Sequence, residues 1–141
     1  MSVEDFIDTN VFIYHLDASD KRKHAVAERV VREALAGTRA CISFQVVQEC
    51  LNVVTRKAQA RLATEPARLY LDTVLLPLLR VGSSATLYQR GLDTQARYQF
   101  SFYDSLIVAA ALSAGCKRLL SEDMQHGQRI ESLTIINPFN A

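Results

Sequence analysis

What the chain has little of narrows the possibilities first. No stretch approaches the roughly 18 consecutive apolar residues of a membrane-spanning helix. The start, Met-Ser-Val-Glu-Asp, is acidic, and the first twenty residues hold five acids and no Lys or Arg. The basic opening of a secretory signal peptide is therefore missing. Only three cysteines occur, Cys41, Cys50 and Cys116, all in apolar surroundings and without CxxC spacing. Their odd number and context predict buried, reduced thiols. His15, His24 and His126 form no spaced pairs with them, which argues against a zinc site. These absences predict a cytoplasmic protein. There is no large excess of charge either: the net value is +1, too small to announce a nucleic-acid partner. Linkers, repeats and low-complexity tracts are also missing, so residues 1–141 are expected to form a single domain.

What is present reads as an ordinary globular chain, 49% hydrophobic and 22% charged over 141 residues. An apolar run opens almost at once and meets Asp8-Thr9-Asn10, a natural strand-to-loop turn. Ser19 and Asp20 then start a helix with Ala25, Val26, Val30, Val31, Ala34 and Leu35 on its buried side, stopped by Gly37. Its first turn carries Lys21, Arg22, Lys23 and His24, at the end of the helix where positive charge is disfavoured. A second strand is expected over 39–44, followed by a helix through Val46, Val47, Cys50, Leu51 and Val54. Thr64-Glu65-Pro66 signals another helix start, with Pro77 as an interruption. A third strand is placed over 78–81, and Ser84 caps the next helix. The segment 101–115 predicts a helix buried on most of its circumference and ended by Gly115. Strands at 117–120 and 133–136 complete an α/β chain with a parallel sheet.

Four carboxylates occupy informative places. In parallel sheets functional groups gather beyond the carboxyl ends of strands. Asp8 follows the first strand, Asp123 the fourth, Glu49 lies in the helix after the second, and Asp104 begins the helix leading to the fourth. Each has an everyday explanation: a turn residue, a solvated helix face, or, for Asp104 after Ser101, a capping box. Gathered together, unpaired anions would repel and raise one another's proton affinity. No Lys, Arg or His stands within two residues of Asp8, Asp104 or Asp123, which leaves room for cations. Oxygen-only donors favour Mg2+ or Mn2+ over zinc or copper. With the four set aside, eleven acids face sixteen basic residues, so the remaining surface is mildly basic.

The stretches FIDTNVFIYHLD, SFYDSLIVAAALSAGC and LLSEDMQHGQ resemble the acidic motifs of PIN-domain ribonucleases, above all toxins of the virulence-associated protein C (VapC) type. ISFQVVQECLNVVTRK is similar to the family's second acidic motif, and TIINPF to its ending. The resemblance covers nearly the whole chain. It implies a compact PIN-like α/β fold, a central parallel sheet of four or five strands flanked by helices. It also implies an RNA-cleaving site in which Asp8, Glu49, Asp104 and Asp123 bind Mg2+ or Mn2+. Thr9 and Ser121 match the small hydroxyl residues beside the first and last acids, with Asn10 and Glu122 as further candidates. A cognate antitoxin covering the pocket follows from the same resemblance, as does a homodimer through the segment 69–79. Arg56, Lys57, Arg61, Arg68, Arg90 and Arg97 are candidates to track RNA phosphates, with scattered surface charge as the plainer reading. Two other functions stay open. One is a phosphatase using Asp8 as nucleophile, although Asn10 stands where its second acid belongs. The other is a binding module whose carboxylates hold metal only for stability.

Overall fold

The computed structural model describes residues 3–56 and 61–140. Strand β1 (Asp5–Ile7) leads directly into helix α1 (Thr9–Leu16). The turn expected at Asp8 is thus a strand-to-helix junction. Asp8 is its N-cap, in extended conformation, and its carboxylate accepts from the Thr9 N–H. A short acidic side chain that satisfies a free helix N–H is the local reason for the turn. Helix α2 (Lys21–Ala36) is capped by Asp20 and ends at Gly37. Its buried seam is Ala27, Val31 and Ala34, with Val26 and Val30 partly covered. That seam turns Ala25 to the opposite side and leaves Leu35 at its margin, so both are exposed, contrary to expectation.

Strand β2 (Ala40–Ser43) passes into α3 (Phe44–Val54), and Phe44 opens the helix where a strand residue was expected. Helix α4 (Thr64–Tyr70) starts with Thr64 itself, the cap being Ala63. The chain does not break before Pro77. A π-helical turn, Leu71–Leu75, carries it into a last helical turn, Leu76–Leu78. The wider turn, with the Leu76 N–H reaching back to the Leu71 carbonyl, accommodates a residue that brings no N–H of its own. Strand β3 (Leu79–Val81) precedes α5 (Ala85–Tyr98), whose cap Ser84 accepts from Leu87 N–H at 3.0 Å. Helix α6 (Phe102–Ser113) is buried from Ser105 to Ala111, as its apolar circumference requires. Gly115 follows at φ +78, a conformation that favours glycine. Strands β4 (Arg118–Leu120), β5 (Arg129–Ile130) and β6 (Leu133–Ile136) close the chain.

The sheet order is β3-β2-β1-β4-β6-β5. Five strands are parallel, as the sequence predicted, and the two-residue β5 adds an antiparallel edge that the sequence did not announce. Register aligns Cys41, Phe6, Leu119 and Ile135 across four strands, each 0% exposed. This row is the centre of the core. The three cysteines are free and buried. After β3 the chain crosses back to place β4 on the far side of β1. That reversal opens a crevice at the carboxyl ends of β1 and β4. No helix among the described residues is long and apolar enough to cross a membrane.

Candidate active site

The crevice is built around Asp8. Its N–H bonds the Leu120 carbonyl at 2.9 Å, which ties the end of β1 to the end of β4. Its side chain is 4% exposed. One carboxylate oxygen accepts from Thr9 N–H and the other from Ser121 Oγ, each at 2.7 Å. Burial pushes the carboxyl up, the Ser121 and Thr9 donors pull it down, and the charges of Asp123 and Glu49 push it up again; the result is about 7.

The other acids stand around it. Glu49, on the second turn of α3, is half-buried and accepts from Thr9 Oγ1 at 2.7 Å and from Gln45 Nε2 at 3.1 Å. Asp104, in the first turn of α6, is half-buried. Its carboxyl is raised by burial first and then by the charge of Asp123, with Glu49 adding a smaller push against the Ser101 hydroxyl. Ser101 Oγ accepts from Asp104 N–H at 3.1 Å, half of the expected capping box. Asp123 is exposed on the loop after β4 and accepts from Asn10 Nδ2 at 3.1 Å. The Ser121–Asp8, Thr9–Glu49 and Asn10–Asp123 bonds, with Gln45 joining Glu49 to the Tyr103 carbonyl beside Asp104, bring the elements that carry the four predicted acids to one edge. Beside them lies a hollow of about 370 Å3 lined by Thr9, Asn10, Ile13, Glu49, Asn52, Val53 and Asp123.

Some side chains hold the loops in place. Asn10 staples the β4 loop to α1: its Oδ1 accepts from Glu122 N–H at 3.3 Å while its Nδ2 holds Asp123. Asn10→Ala is expected to cost about 1 kcal/mol and to speed amide hydrogen exchange at 122–124. Unchanged exchange there would remove the stapling role. Glu122 turns away from the acids, bonding Tyr14 Oη and forming an ion pair with Lys23. Contacts of this kind account for three of the four basic residues at the unfavoured end of α2, Lys21 excepted. Lys23 pairs with Glu122 and lies 4.9 Å from the Tyr14 ring centre, Arg22 donates to the Phe139 carbonyl at 2.8 Å, and His24 bonds the Tyr14 carbonyl. Gln45, which the sequence reading did not single out, joins two site elements by donating to both Glu49 and the Tyr103 carbonyl. Its only sequence signal is its place one helical turn before Glu49.

The donor set suits a hard cation. All the side-chain donors are oxygens, and among the described residues none of the four carboxylates is ion-paired with Lys, Arg or His. Among the described residues, no three His, Cys, Asp or Glu side chains converge closely enough to enclose an ion as they stand. Such a site fits an ion that keeps much of its water shell and takes one or two carboxylates, as Mg2+ does. Of the basic candidates, Arg56, Arg61, Arg68, Arg90 and Arg97 are exposed. Arg68 pairs with Glu65 and Arg90 donates to Ser113 Oγ. Lys57 lies outside the described residues.

A family model described as PIN domain matches residues 6–129. Among solved structures, VapC20 from Mycobacterium tuberculosis, a sarcin–ricin loop cleaving toxin, is 23% identical with a TM-score of 0.62, covering 82% of this chain and 87% of that one. A toxin–antitoxin complex from Klebsiella pneumoniae is 18% identical with a TM-score of 0.67, covering 96% and 98%. VapBC-1 from nontypeable Haemophilus influenzae is 19% identical with a TM-score of 0.63, covering 98% and 100%. At these identities the likeness speaks for the fold. None of the curated proteins matches the chain.

Proposed function

The chain belongs to the PIN-domain family, and from that premise we propose that it is a Mg2+- or Mn2+-dependent endoribonuclease, the toxin of a type II toxin–antitoxin pair. The observation that carries this reading is the buried Asp8 carboxyl, which feels the charges of Asp123 and Glu49, with no basic side chain among the described residues paired to any of the three. Asp8, Glu49, Asp104 and Asp123 would hold the cation, one or two of them directly and the others through its water shell. When bound, it would polarise the phosphate and make water a better nucleophile. Thr9 and Ser121 orient the Glu49 and Asp8 carboxylates by donating to them. Tyr103, 66% exposed next to Asp104, offers a flat face for an unstacked base.

The partners belong to the same proposal. Solved relatives include complexes of a toxin with its antitoxin, and a cognate antitoxin here would cover the acidic crevice in the cytoplasm. Leu69 and Leu76, 63% and 44% exposed, lie in the segment assigned to a homodimer contact. An Asp8 phosphatase gains no support, because Asn10 fills the place of its second acid and is engaged with the β4 loop.

The test is cleavage of total RNA by the purified chain with Mg2+, with Mn2+ and with a chelator, alongside growth after induced expression. Cleavage restored only by metal, together with growth arrest, is the expected result. Cutting that persists in chelator would remove the metal mechanism. Metal binding that stabilises the fold without any cleavage would favour the binding module, and harmless expression would end the toxin assignment.

A further inference from the structure

Two buried side-chain polar atoms among the described residues have no hydrogen-bond partner, Ser43 Oγ and Gln45 Oε1. Ser43 is 0% exposed and Gln45 4%. A buried hydroxyl or amide oxygen without a partner costs about 1–3 kcal/mol, so two such atoms two residues apart call for a cause.

Their position supplies one. Asp5 and Phe6 of β1 pair with Ala40 and Cys41 of β2. Asp8 follows β1 and Ser43 closes β2, both in extended conformation, so the same register leads Ser43 towards Asp8. On the other flank Ile7 pairs with Leu120, which sets Ser121 beside Asp8. Asp8, just beyond β1, therefore lies between the strand ends that carry Ser43 and Ser121. Ser121 spends its hydroxyl on the Asp8 carboxylate, whereas Ser43 does not. Ser43 is also the N-cap of α3, yet its side chain makes no capping bond. Gln45 lies in the first turn of the same helix. Its Nε2 holds Glu49 and the Tyr103 carbonyl, which places the amide, and with it Oε1, among the elements bearing Glu49 and Asp104.

We propose that Ser43 Oγ and Gln45 Oε1 receive the water shell of a divalent cation held by the carboxylates, as positioning groups that never touch the ion. The inference rests on the metal-dependent reading above. Mg2+ and Mn2+ sites bound through few carboxylates keep several waters, and those waters need acceptors in the wall. Both orphan atoms can accept, and neither adds charge.

The test is Mn2+ binding to the metal-free protein, followed by titration calorimetry and by the electron-resonance signal of free Mn2+. The variants are Ser43→Ala and, to guard against a packing artefact, Ser43→Gly; folding is checked by circular dichroism. In Ser43→Ala, Mn2+ binding should weaken about tenfold, while metal-free thermal stability stays the same or rises because an unpaired hydroxyl is gone. Ser43→Gly should lose the same affinity whatever its stability. Wild-type affinity in both variants overturns the inference and leaves the nuclease reading standing. A marked loss of metal-free stability in Ser43→Ala with affinity intact also overturns it, since the hydroxyl then has a structural partner. If the wild-type chain binds no Mn2+, the metal-dependent reading falls and takes this inference with it.

Discussion

Asp104→Asn and Asp8→Asn are each expected to lower metal-dependent RNA cleavage on the order of a thousandfold or more. The change is nearly isosteric, so charge is what each variant removes. An amide still accepts and donates hydrogen bonds but offers a hard cation far less attraction than a carboxylate. Asp104 feels Asp123 and Glu49, and Asp8 feels the same two, so each contributes to one shared field. A thousandfold loss corresponds to about 4 kcal/mol of transition-state stabilisation. Groups that act as a unit are not additive, so the double variant should be little worse than either single one. The measurement is kcat/KM on a defined RNA at saturating Mg2+, with circular dichroism to show an intact fold. Activity kept by both variants would remove these residues from the mechanism.

The same substitution at Asp8 should make the metal-free protein more stable. The folded-state carboxyl titrates near 7, against an ordinary value of 3.8, and burial is the largest cause. Between those two values the folded protein holds a proton that the unfolded chain has released. Protonation therefore favours the fold. Stability falls as pH rises from about 4 to about 7 and stays low above that, by at most about 4 kcal/mol for this group. The asparagine side chain of the variant would carry no charge, and its amide can still accept from Thr9 N–H and donate to Ser121 Oγ. In chelator at pH 8, Asp8→Asn should exceed the wild type by about 2 kcal/mol, and the gap should close by about pH 4. Cation at a hundred times its dissociation constant should return about 2.7 kcal/mol to the wild type, and little to the variant. Urea titrations at the two pH values check this. A variant less stable than wild type at pH 8 in chelator would mean that the buried charge is not a cost.

A fold that gives up stability for a charged crevice is common to both predictions, and the chain wrote parts of that arrangement more openly than others. Asp20, Ser84 and Gly115 act on backbone groups within a few residues, so their caps and stops could be read from order alone. The apolar circumference of α6 and the five parallel strands follow from short-range periodicity in the same way. Pro77 misled for a related reason: proline normally ends a helix, and a π-turn is a rearrangement of several carbonyls that no single residue announces.

The amino-acid order by itself determined where strands and helices begin, which faces are apolar, and which acids stand at strand ends, because those features depend on neighbours a few residues away. Only the tertiary structure decided that Asn10 holds Asp123, that Lys23 is matched by Glu122, that Gln45 joins Glu49 to the start of α6, and that Ser43 is left without a partner. Those contacts join residues far apart in the chain, or their absence depends on what packs around them. They exist because the sheet order sets β2, β1 and β4 side by side, a choice made by the packing of the whole core.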